Sequence, residues 1–250
     1  MKYGESTFDI LARQLALDYN CTPAEVLDDE NHFFVYLPRD GRRTFREAEE
    51  CFLKAAVVHG KLLMTGREDI ISWCGETFGD AEGQWFLNGR SLARLQDKLR
   101  ESGHRLGSLH PYLTAEAPTD PGTLPFAPRW YRGEDIEVFR EDGRFHNAYT
   151  FDPKAPDMVG VGAVEDGALL GMAGASRDSE TMWQIGIDVV PEARGRHIAA
   201  PLVCLLKNEL LRLGKLPFYS TALSHTASLR VAVAAGFRPA WSELYTAKSE

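Results

Sequence analysis

The chain lacks the features that mark a disulfide framework, a zinc cluster or a membrane span. Its four cysteines, Cys21, Cys51, Cys74 and Cys204, lie far apart without a CxxC spacing, so we expect free thiols in a reducing compartment. No apolar run approaches the roughly 20 residues that a membrane helix needs, and the start Met1-Lys2-Tyr3-Gly4-Glu5 does not resemble a signal peptide. The expected location is therefore the cytoplasm, with no membrane partner.

Positive charge is also scarce. The net charge is −8 at pH 7 and the pI is about 5.4, which argues against an extended surface for nucleic acid, because counterion release needs many clustered cations. The histidines show no ligand spacing such as HxxxH, so the sequence predicts no metal site. Neither GxxxxGK[ST] nor a strand-linked GxGxxG is present, which makes nucleotide binding a weak hypothesis.

The length of 250 residues and the hydrophobic content of 44% allow two modest cores. Pro118, Pro121, Pro125 and Pro128, together with Gly122, interrupt any regular pattern, so we place a domain boundary there. The predicted domains are residues 1–120, a small α+β unit, and residues 121–250. In the first domain the pattern predicts a helix at 8–19 and a short second helix that starts at the capping box at 22–25. A strand at 32–37, a hairpin at 52–64 and two more helices at 69–78 and 91–100 follow.

The second domain is predicted to be rich in strands. These strands cover 135–140, 145–151, 158–164, 168–175 and 182–190, the last apolar on both faces and therefore central in a sheet. An amphipathic helix follows from Ile198 to Leu213, with a further strand at 215–222, a helix at 226–235 and an extended segment at 237–246. The part of this last segment from Pro239 to Tyr245 is a candidate for pairing with a second copy, which would make a homodimer.

The loop between the central strand and the amphipathic helix carries small and basic residues. It reads Val189-Val190-Pro191-Glu192-Ala193-Arg194-Gly195-Arg196-His197-Ile198-Ala199. A chain that passes from a strand to a helix in this way presents unpaired backbone N–H groups and the positive end of the helix dipole to one point. The sequence therefore predicts an anion-binding loop that fits a phosphate.

This loop resembles the acyl-CoA loop of the GCN5-related N-acetyltransferases (the GNAT superfamily), whose pattern is Arg or Gln, two residues, Gly, one residue, then Gly or Ala. Downstream, Ser224-His225-Thr226-Ala227-Ser228 and Ala235-Gly236-Phe237 resemble the second signature of that family. The likeness covers roughly residues 136–245. The sequences of Gly171–Gly174 and Trp183–Asp188 are similar to those of a bacterial branch of this superfamily that carries an extra N-terminal domain.

The resemblance implies an α+β fold with a mixed, mostly antiparallel sheet flanked by helices, preceded by the small N-terminal domain. It also implies acetyl-CoA as co-substrate. The pantetheine arm would bond to the backbone of the central strand, and the loop amides and arginines would hold the pyrophosphate. The cofactor-binding residues implied in this way are Ile187, Val189, Arg194, Gly195, Arg196, His197, Ile198, Ala199, His225 and Ser228.

Three positions depart from the family pattern. His197 replaces the middle glycine and adds a Cβ at a crowded turn, which implies a different backbone path. Pro201 fits only within the first helical turn, so the helix should start near His197 or Ile198, or else kink. The tyrosine that often protonates the leaving thiolate falls at Ala232, so this general acid is absent.

Other side chains are candidates for the missing acid and for the base. His225 ranks first as the acid because it exchanges protons near neutral pH, ahead of Ser224, Ser228, Tyr219 and Tyr245. Asp188 and Glu180 are the acidic residues nearest the expected acetyl group, and a water relay is an equal alternative as base. Each also has a structural interpretation: His225 as a helix cap, Asp188 as a strand or loop contact, and Glu180 as a turn residue.

Two functions remain open at this point. The first is an N-acetyltransferase that moves an acetyl group from acetyl-CoA to a primary amine of a small molecule or peptide, by direct attack in a ternary complex. The second is a catalytically weak acyl-CoA sensor or regulatory module, which the missing tyrosine slightly favours.

Overall fold

The computed structural model describes residues 6–43 and 51–249. Within these ranges, the helices are α1 (Thr7–Tyr19), α2 (Pro23–Leu27), α3 (Glu68–Phe78), α4 (Gly89–Arg100), α5 (Glu134–Glu137), α6 (Ala199–Arg212) and α7 (Thr226–Ala234). The strands are β1 (His32–Val35), β2 (Leu53–Val58), β3 (Lys61–Gly66), β4 (His104–Thr114), β5 (Ala127–Arg132), β6 (Asp157–Glu165), β7 (Ala168–Arg177), β8 (Met182–Val189), β9 (Leu216–Ser220) and β10 (Arg238–Lys248). None of these helices has both the length and the apolar character that crossing a membrane requires.

The chain forms two compact units. The N-terminal unit contains the described residues of 8–112 together with 240–249, and the C-terminal unit consists mainly of residues 113–239. The last strand therefore groups with the N-terminal unit in the structure, although the sequence assigns it to the second of the two predicted domains.

In the N-terminal unit the strand order is β1-β3-β2-β10-β4. The predicted hairpin is present: β2 and β3 pair antiparallel around His59 and Gly60, whose φ angles are 52° and 81°. The capping box at α2 is also present, with Thr22 and Glu25 bonded reciprocally. Because β10 pairs with β2 on one side and lies beside β4 on the other, the part of the chain described here leaves it no open edge for a second copy.

A buried charge cluster reinforces this unit. Arg43 contacts Asp18 at 2.6 Å and also bonds to Glu243 on β10, and each of these three side chains is almost entirely buried. Tyr245 donates a hydrogen bond to Glu243. Breaking a buried pair leaves an uncompensated charge, so the cluster fixes the position of the last strand.

In the C-terminal unit the strand order is β9-β8-β7-β6-β5. The pairs from β5 to β8 are antiparallel, whereas β8 and β9 run parallel. The largest core lies where α6 and α7 cover the sheet, and it includes Ile185, Leu202 and Ala232. The sheet is thus mixed and mostly antiparallel, as predicted.

The proline-rich stretch has no helix or strand between residues 115 and 126 and is tied to α6 within the same unit. Lys207 Nζ donates to Thr119 Oγ1 at 2.6 Å, and Thr119 N donates to Asn208 Oδ1 at 3.1 Å. The segment is therefore held against the helix by specific hydrogen bonds.

Two strand predictions were wrong and two strands were missed. Residues 135–140 contain the end of α5 instead, because Ile136 and Phe139 are buried at a spacing of three while Val138 is exposed. Residues 145–151 begin in a 3-10 turn, Gly143–Phe145. The missed strands, β4 and β5, contain Pro111 and Pro128 respectively, and a proline ring weakens the strand signal.

Candidate active site

The central strand β8 has an edge that is only partly covered. On one side it pairs with β7 from Trp183 to Val189. On the other side it pairs with β9 only through Met182, Trp183 and Gln184, opposite Leu216, Pro217 and Phe218. The two parallel strands therefore separate after Gln184, which opens a gap along the second half of β8.

The backbone groups that face this gap follow from strand alternation. Val190 N donates to Leu170 O at 2.9 Å, so the backbone groups of even-numbered residues in this part of the strand point toward the β7 side. Those of Ile187 and Val189 point the opposite way, toward the gap. These are the two residues that the resemblance assigns to the pantetheine arm.

The loop after β8 turns through a 3-10 helix, Pro191–Ala193, and then through two left-handed residues. Gly195 has a φ of 78° and His197 a φ of 56°. His197, at the position of the family's middle glycine, thus adopts a conformation that glycine favours and that histidine tolerates. A different backbone path at this position stays a prediction.

The loop amides remain available to a ligand. Within the described residues, the backbone N–H groups of Gly195, Arg196, His197 and Ile198 donate no hydrogen bond. From Pro191 to Ile198 the loop is exposed apart from Ala193 and Ile198. Because α6 begins at Ala199, its first amides add to this set, and the positive end of its dipole points to the same place.

Pro201 is the third residue of α6, within the first turn, as the sequence required. The helix therefore begins one residue after Ile198 and keeps its dipole at the loop.

The two loop arginines have different partners. Arg196 Nη2 lies 2.7 Å and 2.8 Å from the two carboxylate oxygens of Glu165, in an exposed ion pair. Arg194 Nε donates to Val189 O at 3.3 Å. Both guanidinium groups are exposed and belong to the loop itself, so both can turn toward an anion that binds there.

Ala232, where the family tyrosine is expected, is completely buried. One helical turn earlier on the same face of α7, Ser228 Oγ lies 2.7 Å from the hydroxyl of Tyr219 on β9. Burial raises the pKa of Tyr219, the Asp188 carboxylate adds to the increase, and the hydrogen bond with Ser228 opposes it. The protonated phenol of Tyr219 therefore lies near the position where the family tyrosine is expected, but it is carried by β9 and not by α7.

The structure places the other acid candidates apart. His225 is the exposed N-cap residue of α7, and its side chain forms no capping hydrogen bond. Ser224 is exposed beside it. Tyr245 lies in the N-terminal unit, buried beside Glu243.

The two base candidates lie at opposite ends of β8. Glu180 precedes β8, at the end of the strand opposite the loop, and pairs with Lys215 at 3.2 Å while largely exposed. Asp188 lies near the loop, and its carboxylate accepts hydrogen bonds from Asn147 N at 2.7 Å, Ala148 N at 2.9 Å and Asn147 Nδ2 at 2.6 Å. Asp188 is therefore an anchor for the segment that contains Asn147.

A row of glycines lets this segment lie directly on the sheet. Gly160, Gly174 and Gly186 are in register on β6, β7 and β8. A Cβ at Gly186 would lie 1.8 Å from Asn147 O, and one at Gly174 would lie 2.1 Å from Ala148 O. At Gly160 it would lie 1.8 Å from the Tyr149 hydroxyl. Glycine alone permits this approach.

Asn147 and its neighbour His146 were not among the predicted site residues, because the pattern of residues 145–151 predicts a strand. Glycines inside three successive predicted strands were the available signal, since glycine in a strand interior often marks the close approach of another backbone. The described ranges contain no group of three His, Cys, Asp or Glu side chains that could hold a metal ion.

Residues 124–237 match the family model described as "Acetyltransferase (GNAT) family". A solved structure of a GCN5-related N-acetyltransferase from Kribbella flavida is 14% identical, with 99% of this chain and 97% of that chain covered and a TM-score of 0.50. One from Sphaerobacter thermophilus is 15% identical, with 96% and 92% covered and a TM-score of 0.48. A GCN5-related N-acetyltransferase-like protein from Streptococcus suis 89/1591 is 15% identical, with 82% and 88% covered and a TM-score of 0.47.

No curated protein matches the chain. At its level of identity, the Kribbella flavida structure shows the fold, and it spans nearly the whole chain. The family match supports acyl transfer as the general activity, with an acyl-CoA donor as the typical co-substrate of such proteins. Residues 124–237 therefore form a domain of the GNAT acetyltransferase family.

Proposed function

We propose that the protein transfers an acetyl group from acetyl-CoA to a primary amine of a small molecule or peptide, by direct attack in a ternary complex. The observation that carries this proposal is the continuity of two features. The uncovered edge of β8 leads directly into a loop whose amides have no partner within the described residues, at the positive end of α6.

An extended pantetheine arm matches the uncovered edge. Its amides would pair with the backbone groups of Ile187 and Val189 as an added strand would. The pyrophosphate would then reach the amides of residues 195–199, where Arg194 and Arg196 add positive charge. For Arg196 this requires release of Glu165, an exposed pair of the kind that contributes little to stability.

The thioester would lie deeper in the gap, toward the point where β8 and β9 separate. Holding it beside a neutral amine supplies proximity, and a backbone N–H of the uncovered strand polarises the carbonyl. Tyr219 is the best placed donor for the leaving thiolate, because it lies on β9 and bonds to Ser228 one turn before Ala232. His225 remains the alternative acid, since its exposed ring is free to move at the start of α7.

The contacts of the two carboxylates do not favour either as the base. Asp188 already accepts hydrogen bonds on both oxygens, and Glu180 pairs with Lys215 away from the loop. We propose the cytoplasm as the location, since the free cysteines fit a reducing compartment.

The alternative function is a catalytically weak acyl-CoA sensor, and the observation that favours it is the buried Ala232 at the position of the usual acid. A panel of amines separates the two. Purified protein is mixed with acetyl-CoA, with and without each amine, and free CoA and acetylated amine are quantified by mass spectrometry. Amine-dependent formation of both products in equal amounts supports the enzyme. Saturable CoA binding with no product from any primary amine supports the sensor and contradicts the proposal.

A further inference from the structure

The ring of His146 is held in one tautomer. Its Nδ1 lies 3.0 Å from Gly143 O, and a carbonyl oxygen can only accept a hydrogen bond. Nδ1 therefore carries the proton in the neutral ring, and Nε2 presents its lone pair. His146 is exposed, so a ligand can reach the ring.

Asn147 links this ring to β8. Its Nδ2 lies 3.2 Å from His146 Nε2 and 2.6 Å from Asp188 Oδ1. The carboxylate can only accept, so the side-chain amide directs one N–H to Asp188 and the other to the imidazole. The backbone of Asn147 and Ala148 donates to the other oxygen of Asp188. The orientation of the ring is thus fixed from the central strand.

The segment that contains His146 and Asn147 lies on the central strand β8. Asn147 O lies over Gly186, in the part of β8 that is not paired with β9. His146 immediately precedes Asn147. The segment that carries the His146 ring therefore lies on the same short stretch of strand that borders the gap.

Three charged side chains lie on the turn that carries the ring or are bonded to it. On this turn, Asp142 and Arg144 pair with each other at 2.7 Å. From β8, the Asp188 carboxylate is linked to the ring through Asn147.

We infer that His146 accepts the proton of the attacking amine, with Asn147 and Asp188 as positioning residues; this inference rests on the proposed acetyl transfer. The amine nitrogen bonds to the thioester carbonyl carbon while one N–H proton passes to His146 Nε2. The C–S bond then breaks, and the thiolate takes a proton from the general acid, which gives the amide and CoA. The imidazolium returns its proton to water, and the deprotonated acid takes one back from water. The contact between Asn147 and Nε2 is long at 3.2 Å, so the amine displaces it easily.

The test compares wild type with His146→Gln, and with His110→Gln, on β4 of the N-terminal unit, as the histidine control. The readouts are kcat/KM for the amine between pH 6 and pH 10, the Kd for CoA, and melting temperature. We expect His146→Gln to lower kcat/KM about 100-fold at neutral pH. We also expect the acid limb of the pH profile of kcat/KM for this variant to move up toward the pKa of the free amine. Its Kd for CoA should stay within about twofold of wild type. Asn147→Ala should lower kcat/KM less and leave the Kd unchanged.

Equal pH profiles for wild type and His146→Gln would overturn the inference and leave the acetyl transfer intact. A wild type that binds CoA without amine-dependent turnover would overturn both. A readout independent of activity is the tautomer: nitrogen NMR of the neutral His146 ring should show the Nδ1–H form, and the Nε2–H form would contradict the geometry.

Discussion

Gly186→Ala tests the close approach that brings residues 146–148 onto the sheet. The new Cβ would lie 1.8 Å from Asn147 O and 2.7 Å from Asn147 C. The carbonyl would have to retreat by roughly 1.6 Å to reach ordinary contact at 3.4 Å. Because backbone cannot rotate away as a side chain does, the whole segment must move with it.

That movement pulls the Asn147 and Ala148 amides away from Asp188, which they reach at 2.7 Å and 2.9 Å. Overpacking costs about 1–3 kcal/mol, and a hydrogen bond to a charged group contributes about 1.5–3 kcal/mol. We therefore expect a loss of about 3 kcal/mol or more in the free energy of unfolding. For a chain of this size this corresponds to a drop of roughly 6–12 °C in melting temperature.

The assay is thermal unfolding followed by circular dichroism, with Gly143→Ala as the control. A Cβ at Gly143 meets nothing within 4 Å, so this variant of the same turn should melt within about 2 °C of wild type. Gly174→Ala, whose Cβ would lie 2.1 Å from Ala148 O, should repeat the effect from β7. A melting temperature of Gly186→Ala equal to that of wild type would refute the close approach.

Three further predictions follow from single contacts. Tyr219→Phe removes the phenol that bonds to Ser228, so kcat should fall about 100-fold while the Kd for CoA changes less than twofold; an unchanged kcat in steady-state assays would exclude Tyr219 as the acid. Glu165→Gln frees Arg196 and removes a negative charge near the loop, so CoA should bind about threefold tighter by calorimetry, and weaker binding would contradict the role of Arg196. Burial lowers the pKa of Lys54 to about 8, so the unfolded chain holds this proton to higher pH than the folded one. Wild type should therefore gain stability relative to Lys54→Met as the pH rises from about 8 to 10, and parallel melting curves across that range would argue against the shift.

The sequence was sufficient for the elements whose pattern is local. The amphipathic face of α6, the capping box at Thr22 and the turn at His59 and Gly60 are each determined by a few neighbouring residues, and all are present. The order of strand, loop and helix around Arg194 and Gly195 was likewise readable, because the loop must leave the sheet after Pro191.

The rest depended on tertiary contacts. Residues 145–151 have strand-like composition, but the three glycines beneath them permit a turn that lies flat on the sheet. No local pattern shows that Asn147 bonds to Asp188, which lies 41 residues away. Tyr219 on β9 and Ser228 on α7 come together through a tertiary contact between the two elements, so the candidate acids could not be ranked from spacing.

The central claim is that the loop amides and Arg194 hold the pyrophosphate of CoA, and isothermal titration of CoA into wild type and Arg194→Glu tests it most directly. Arg194 is exposed, and its side chain is bonded only to Val189 O within the described residues, so its replacement should leave the melting temperature of the free protein nearly unchanged. We expect CoA to bind wild type with measurable heat, and to bind Arg194→Glu at least about tenfold more weakly. Equal affinity in the two proteins, or no heat from wild type, would contradict the account.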